Sequence, residues 1–139
     1  GRLRAYANGW YQGPREPGFF AEAAARMVAM GYTALKFDPF GGAYKQIEHD
    51  SEALAVSIVR AVRDAVGDEV DLLIEAHDRF TVSTAIRVGR ALEPYRPFWI
   101  ETPVRSHDLR GSIEVQRALG YPVVLGEAFH ELRPFADLL

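Results

Sequence analysis

Short apolar runs alternate with longer amphipathic stretches along the whole chain, which is the pattern of strands alternating with helices. A first strand is expected over Arg2–Ala7, then a Gly/Pro-rich loop from Asn8 to Gly18, then an Ala-rich helix over Phe19–Met30 closed by Gly31. Strand two covers Thr33–Phe37, and a long loop beginning Asp38-Pro39-Phe40-Gly41-Gly42 runs on to His49. Helix two spans Ser51–Val66 behind Asp50 or Ser51 as N-cap. Leu54, Ile58, Val62 and Val66 form its apolar stripe, and Gly67 ends it. Strand three is Val70–Ile74 and helix three is Val82–Leu92, between Thr81 and Pro94. Strand four is Phe98–Ile100, helix four is Ile113–Leu119, and strand five is Val123–Leu125, with a last helical turn near Arg133.

Strands separated by helices must run parallel, because each crossover returns the chain to the same end of the sheet. The fold class is therefore α/β. Eight such units close a barrel of about 250 residues, and this chain of 139 supplies about strands one to five with their helices, so the expectation is a partial TIM (β/α)8 barrel. A doubly wound open sheet is the competing architecture, but Asn8-Gly9-Trp10-Tyr11-Gln12-Gly13 lacks the G-x-G-x-x-G phosphate loop that would go with it.

Three of the apolar runs end in an acid: Leu72-Leu73-Ile74-Glu75, Phe98-Trp99-Ile100-Glu101 and Val123-Val124-Leu125-Gly126-Glu127. The acids recur every 26 residues, one βα unit apart. Adjacent parallel strands with that spacing deliver three carboxylates to one point at their C-terminal ends, and hard oxygen ligands of this kind suit magnesium. Unrelated strand-end charges meeting water are the plainer alternative.

Composition narrows the function classes. The chain is 48% hydrophobic and 25% charged with a net charge of −3, and its Lys and Arg are scattered, so no nucleic-acid partner is indicated. It has no cysteine, which excludes disulfides, thiolate nucleophiles and zinc–thiolate sites. Its apolar stretches are too short to span a membrane and residues 1 to 20 carry no signal-peptide pattern, so cytoplasmic residence is the expectation.

Further residues cluster near the acids. His77, two residues after Glu75, alternates back to the same side and reads as a general acid for a leaving group, or else as a loop histidine capping a helix or meeting solvent. Lys36 is a charge inside a parallel strand and, with His77, a candidate catalytic residue; it needs a carboxylate partner there, unless it snorkels to the rim. Asp38 shares its face, although Asp before Pro is also an ordinary turn starter. Asn8 and Trp10 line a polyol pocket or pack a loop. Arg79 stands in the same segment as His77 and is taken, with Asn8, Trp10 and Asp38, as a candidate substrate contact.

The order Lys36-x-Asp38, Glu75-x-His77, Glu101-x-Pro103 and Gly126-Glu127 resembles the enolase superfamily, within it the mandelate racemase and muconate lactonizing enzyme group. Glu75-Ala76-His77-Asp78-Arg79 followed by Leu92-Glu93-Pro94-Tyr95-Arg96-Pro97 is most similar to its acid-sugar dehydratases of the galactonate type. The resemblance implies that Glu75, Glu101 and Glu127 bind Mg2+. That ion would hold the carboxylate of a small-molecule sugar acid and stabilise the enediolate formed when a base takes its α proton. His77 would protonate the departing β-hydroxyl, giving a 2-keto-3-deoxy acid. A racemase or cycloisomerase is the alternative reaction, and a catalytically incompetent half-barrel the alternative of another class.

Three positions depart from that group's pattern. Glu75 stands where Asp is usual, Asp38 replaces the second Lys of a Lys-x-Lys pair, and Thr102 stands where a second Glu is common. The group's His-Asp base lies on later barrel strands and its capping domain largely precedes the barrel. Residues 1–139 are thus expected to be the N-terminal portion of the barrel domain, inactive alone and, with open sheet edges, a homo-oligomer.

Overall fold

The computed structural model describes Gly1 and residues 3–138. Helix α1 (Pro17–Ala29) leads into β1 (Ala34–Phe37), α2 (His49–Val66), β2 (Asp71–Glu75), α3 (Val82–Leu92), β3 (Trp99–Glu101), α4 (Leu109–Ala118), β4 (Val123–Val124) and α5 (Leu132–Leu138). The strands form one parallel sheet in the order β1-β2-β3-β4. Consecutive strands lie side by side, as successive staves of a barrel do.

Register sorts the strand residues onto two faces. Lys36 pairs with Leu73, Leu73 with Trp99, and Glu75 with Glu101, so these five share the concave side. Leu35, Phe37, Leu72, Ile74 and Ile100 alternate onto the opposite side, where they are fully buried with Phe20 of α1, Ile58 and Val62 of α2 and Val88 of α3. The apolar layer between sheet and helices is the core, and the polar concave face is what it holds in place.

The first strand does not form as expected. Arg2 lies outside the described residues. Of the remainder, only Ala7 bridges to Leu35, with its N–H on Ala34 O at 2.9 Å and its carbonyl accepting from Lys36 N at 2.8 Å. Arg4 instead donates its guanidinium to the Thr33 hydroxyl and carbonyl. The pairing with β1 stops at that one bridge.

Helix boundaries shift for local reasons. Pro17 takes the first position of α1, where its missing N–H is harmless, and Gly31 follows at φ +95°, a conformation that glycine reaches without strain. Helix α2 begins at His49 behind Glu48 rather than at Ser51, with Asp50 and Glu52 favourably placed in its first turn. Helix α4 starts at Leu109, four residues before the expected Ile113, because the Asp108 side chain accepts from Gly111 N at 2.8 Å and caps it. Strand β4 stops one residue short of Leu125.

At the N-terminal end of the sheet, Arg63 in the last turn of α2 is buried and donates to four carbonyls: Gly67 O, Val70 O, Tyr95 O and Arg96 O, at 2.7 to 3.1 Å. It ties the turn before β2 to the turn before β3. Among the described residues no helix is long and apolar enough to cross a membrane.

Candidate metal centre

Glu75 and Glu101 are the last residues of β2 and β3 and stand side by side in register. Glu127 follows β4 after Leu125 and Gly126. One carboxylate oxygen from each of the three lies within 4.8 Å of the others. That is close to the roughly 4 Å spanned by two magnesium–oxygen bonds of 2.0–2.1 Å. The donor set is all oxygen and threefold anionic, the chemistry of a hard divalent cation.

Lys36 supplies positive charge at the same point. Its Nζ lies 2.7 Å from Glu75 Oε2 and 2.7 Å from Glu101 Oε2, bridging two of the three acids. Burial alone would lower the ammonium's pKa, but the hydrogen bonds to Glu101 and Glu75 outweigh it and hold the group above its ordinary range. The Glu101 pKa is raised as well: burial pushes it up, Lys36 only partly offsets that, and the charges of Glu75 and Glu127 add to it. Carboxylates crowded this closely need a cation, and the three glutamates fit a magnesium ion on that ground.

The rest of Glu75 is locked. Its Oε1 accepts from Ala76 N at 3.0 Å and His77 N at 2.9 Å. Past it the backbone turns left-handed at His77 and Asp78, with φ 50° and 59°, a conformation uncommon for residues other than glycine. The turn is pinned to the next strand by Ala76 N on Glu101 O and Asp78 N on Thr102 O. Thr102 is itself left-handed and buried, and its hydroxyl has no hydrogen-bond partner among the described residues.

The remaining candidates divide. Asp38 serves as a turn starter, its Oδ1 accepting from Phe40 N at 2.8 Å, while its Oδ2 lies 2.9 Å from His77 Nδ1. His77 is thus half exposed to solvent and held by Asp38 at Nδ1. Arg79 is directed to protein partners: Nε donates to Ala76 O at 2.8 Å, Nη1 to Gly41 O at 2.5 Å, and Nη2 pairs with Asp38. Those contacts displace the expectation that its guanidinium faces substrate. Trp10 packs edge-on against Tyr11, Phe20 and Phe37 in the layer facing α1, so its contacts are those of loop packing. Asn8 is exposed one residue past the Ala7 bridge and accepts from Gly9 N.

Two features were not foreseen. Asp38, His77 and Arg79 form one cluster, for which the only signal in the sequence was the parallel i+2 spacing of Lys36-x-Asp38 and Glu75-x-His77. Three strand-end loops are also knitted together: Lys45 N donates to Arg79 O at 2.6 Å, Thr81 N to Lys45 O at 3.0 Å, and Arg105 to the Tyr44 hydroxyl at 3.0 Å. A groove of about 830 Å³ along Thr81, Ile86, Arg87 and Glu114 includes none of Glu75, Glu101 and Glu127, and the chemistry sits at the strand ends instead.

Residues 20–139 match the family described as enolase C-terminal domain-like. The chain belongs to this family. It is 45% identical over 126 residues to a D-gluconate dehydratase of Thermoproteus tenax, covering 91% of this chain and 25% of that protein. It is 43% identical over 134 residues to a D-gluconate/D-galactonate dehydratase of Picrophilus torridus, covering 96% and 34%. Among solved structures, a mandelate racemase/muconate lactonizing enzyme-like protein from Roseovarius sp. TM1035 superposes with a TM-score of 0.86 at 38% identity, covering 96% of this chain and 36% of that one. The chain therefore spans roughly a quarter to a third of each, and its α/β sheet is a portion of the enolase-superfamily barrel.

Proposed function

We propose that Glu75, Glu101 and Glu127 hold a magnesium ion in a dehydratase acting on sugar acids of the gluconate or galactonate type. The observation that carries this reading is the approach of three carboxylate oxygens to within 4.8 Å of one another at the ends of neighbouring parallel strands, in a chain whose relatives include the two sugar-acid dehydratases above. When bound, the ion supplies the positive charge that lets a proton α to a carboxylate be removed at a useful rate.

The chain's own residues do the rest of what can be assigned. Lys36 keeps Glu75 and Glu101 together against their mutual repulsion. His77 stands beside this centre and gives a proton to the β-hydroxyl as its C–O bond breaks, so that it leaves as water. The α proton goes to a different group, since Lys36 is held as an ammonium and has no lone pair to accept it. The resulting enol tautomerises to a 2-keto-3-deoxy acid. A racemase would need a second strand-end base beside Lys36, and Asp38 in that position is already engaged with His77 and Arg79.

Calorimetric titration of magnesium at neutral pH tests the metal site. One ion per chain is expected, with affinity in Glu75→Gln or Glu101→Gln falling by more than the roughly 10–100-fold that follows loss of an outer-shell partner. Mass spectrometry of D-gluconate and D-galactonate should show loss of water when these residues stand in a complete barrel that also supplies a base, and none with residues 1–139 alone. Absence of magnesium binding in the parent protein would sink the reading and leave a non-catalytic scaffold in its place.

A further inference from the structure

We propose that Asp38 is a positioning residue for His77: it ties down Nδ1 of the imidazole, so that Nε2 is the atom presented to substrate. The inference rests on the general-acid reading of His77 and deepens it.

The geometry is that of a carboxylate fixed before it meets the ring. Asp38 Oδ1 accepts from Phe40 N at 2.8 Å, which sets the plane of the carboxylate. Oδ2 takes the pair with Arg79, whose guanidinium is itself immobilised by Ala76 O, Gly41 O and the face of Phe40, 5.9 Å from its central carbon. His77 Nδ1 then lies 2.9 Å from the same Oδ2. The Asp38 and Arg79 side chains are 12% and 10% exposed, whereas His77 is 53% exposed. The ring is therefore gripped on one side by a buried pair and left open elsewhere.

Hydrogen-bond chemistry then assigns the proton. A carboxylate is acceptor only, so the nitrogen against it must carry the hydrogen. Arg79 Nη2 also approaches Nδ1, at 3.5 Å, and a guanidinium there would demand the opposite tautomer. The carboxylate contact is 0.6 Å shorter, within normal hydrogen-bond length, and it decides the matter. With Nδ1–H fixed, Nε2 becomes the exchangeable site, as in other histidines oriented by a carboxylate. Neither Asp38 oxygen is free to meet substrate directly, which makes the residue one that acts through His77. The backbone strain at His77 and Asp78 serves the same end, bringing the ring back towards β1 across a gap of 39 residues in sequence.

Side-chain 15N NMR of His77 in the purified protein, at about pH 9 where an ordinary imidazole is neutral, reads the tautomer directly. The expected parent signal is Nδ1–H; a dominant Nε2–H form would overturn the proposal. Asp38→Asn keeps the acceptor for Phe40 N and removes the charge, and it should mix the tautomers and, in a complete barrel that turns over, lower kcat by about 10²-fold with KM changed less than about threefold. Asp38→Glu should restore part of both. Tautomers unchanged in Asp38→Asn would reduce Asp38 to an Arg79 partner. Should Asp38→Asn fail to fold, Arg79→Gln replaces it: Nδ1–H must persist there, and its loss would transfer the orienting role to Arg79 and overturn the proposal. The spectrum needs no substrate, so a complete barrel inactive on sugar acids would defeat the proposed function while leaving the tautomer result to stand or fall alone.

Discussion

Glu75 and Glu127 reach toward the same point, yet the first is 2% exposed and the other lies in solvent. Glu75 ends a five-residue strand, with both oxygens engaged by Lys36 and by two backbone N–H groups. Glu127 follows a two-residue strand whose valines are half-buried, and it hangs beyond Gly126 on a loop leading to α5. One ligand is built into the packed sheet and the other is carried beside it. The difference teaches that preorganisation is unequal within the site: the Lys36–Glu75–Glu101 group is set by folding, whereas a third ligand near the sheet's edge is held by far less surrounding structure.

The largest effect should come from the packed side. Ile74→Ala removes a fully buried side chain behind Glu75 and should cost about 2–5 kcal/mol in urea denaturation, against less than about 1 kcal/mol for Val124→Ala on β4. Equal losses would break the comparison. Next comes Lys36→Met, which leaves Glu75 and Glu101 facing each other without a cation and should cost about 3 kcal/mol. Added magnesium should recover part of that loss, because a ligand of the folded state stabilises it.

The pH dependence of that loss has a definite sign. Lys36 titrates above its ordinary 10.5 in the folded chain, so its contribution is fully present below pH 10.5 and is lost as pH rises towards the folded value. The gap between Lys36→Met and its parent should stay flat through neutral pH and close only in strong alkali. A gap that narrowed between pH 7 and 9 would mean that the ammonium is not held as described. The smallest effect belongs to the edge: Gly126 has φ +134°, and an added Cβ would sit 3.0 Å from Phe135 Cε1, so Gly126→Ala should cost about 1 kcal/mol in thermal melts.

Most of the framework was legible because its signals are local. The stripe of α2 placed Ile58 and Val62 in the core, and an acid after an apolar run marked the ends of β2 and β3. The need of Lys36 for an anion was legible as well, since an ammonium within an apolar strand demands one, and Glu75 and Glu101 supply it. The failures are failures of distance. Arg2–Ala7 has a strand-like composition, but whether it pairs depends on partners elsewhere, and among the described residues only Ala7 finds one, in Leu35. The start of α4 depended on whether Asp108 capped a segment containing Gly111, a helix-weakening residue. Arg79 found its partner 41 residues away, and nothing within its own segment points to Asp38 rather than to a substrate.

Arg63 gives the fold a division of labour. Its guanidinium gathers four carbonyls at the end of the sheet opposite the glutamates, joining two turns that carry none of the proposed chemistry. Anchorage at one end leaves the loops at the other end free to be exchanged, lengthened or rewritten without the sheet coming apart. A scaffold arranged this way can change its substrate, or lose its activity altogether, while keeping its architecture. In such a chain, a preserved fold is poor testimony to a preserved reaction.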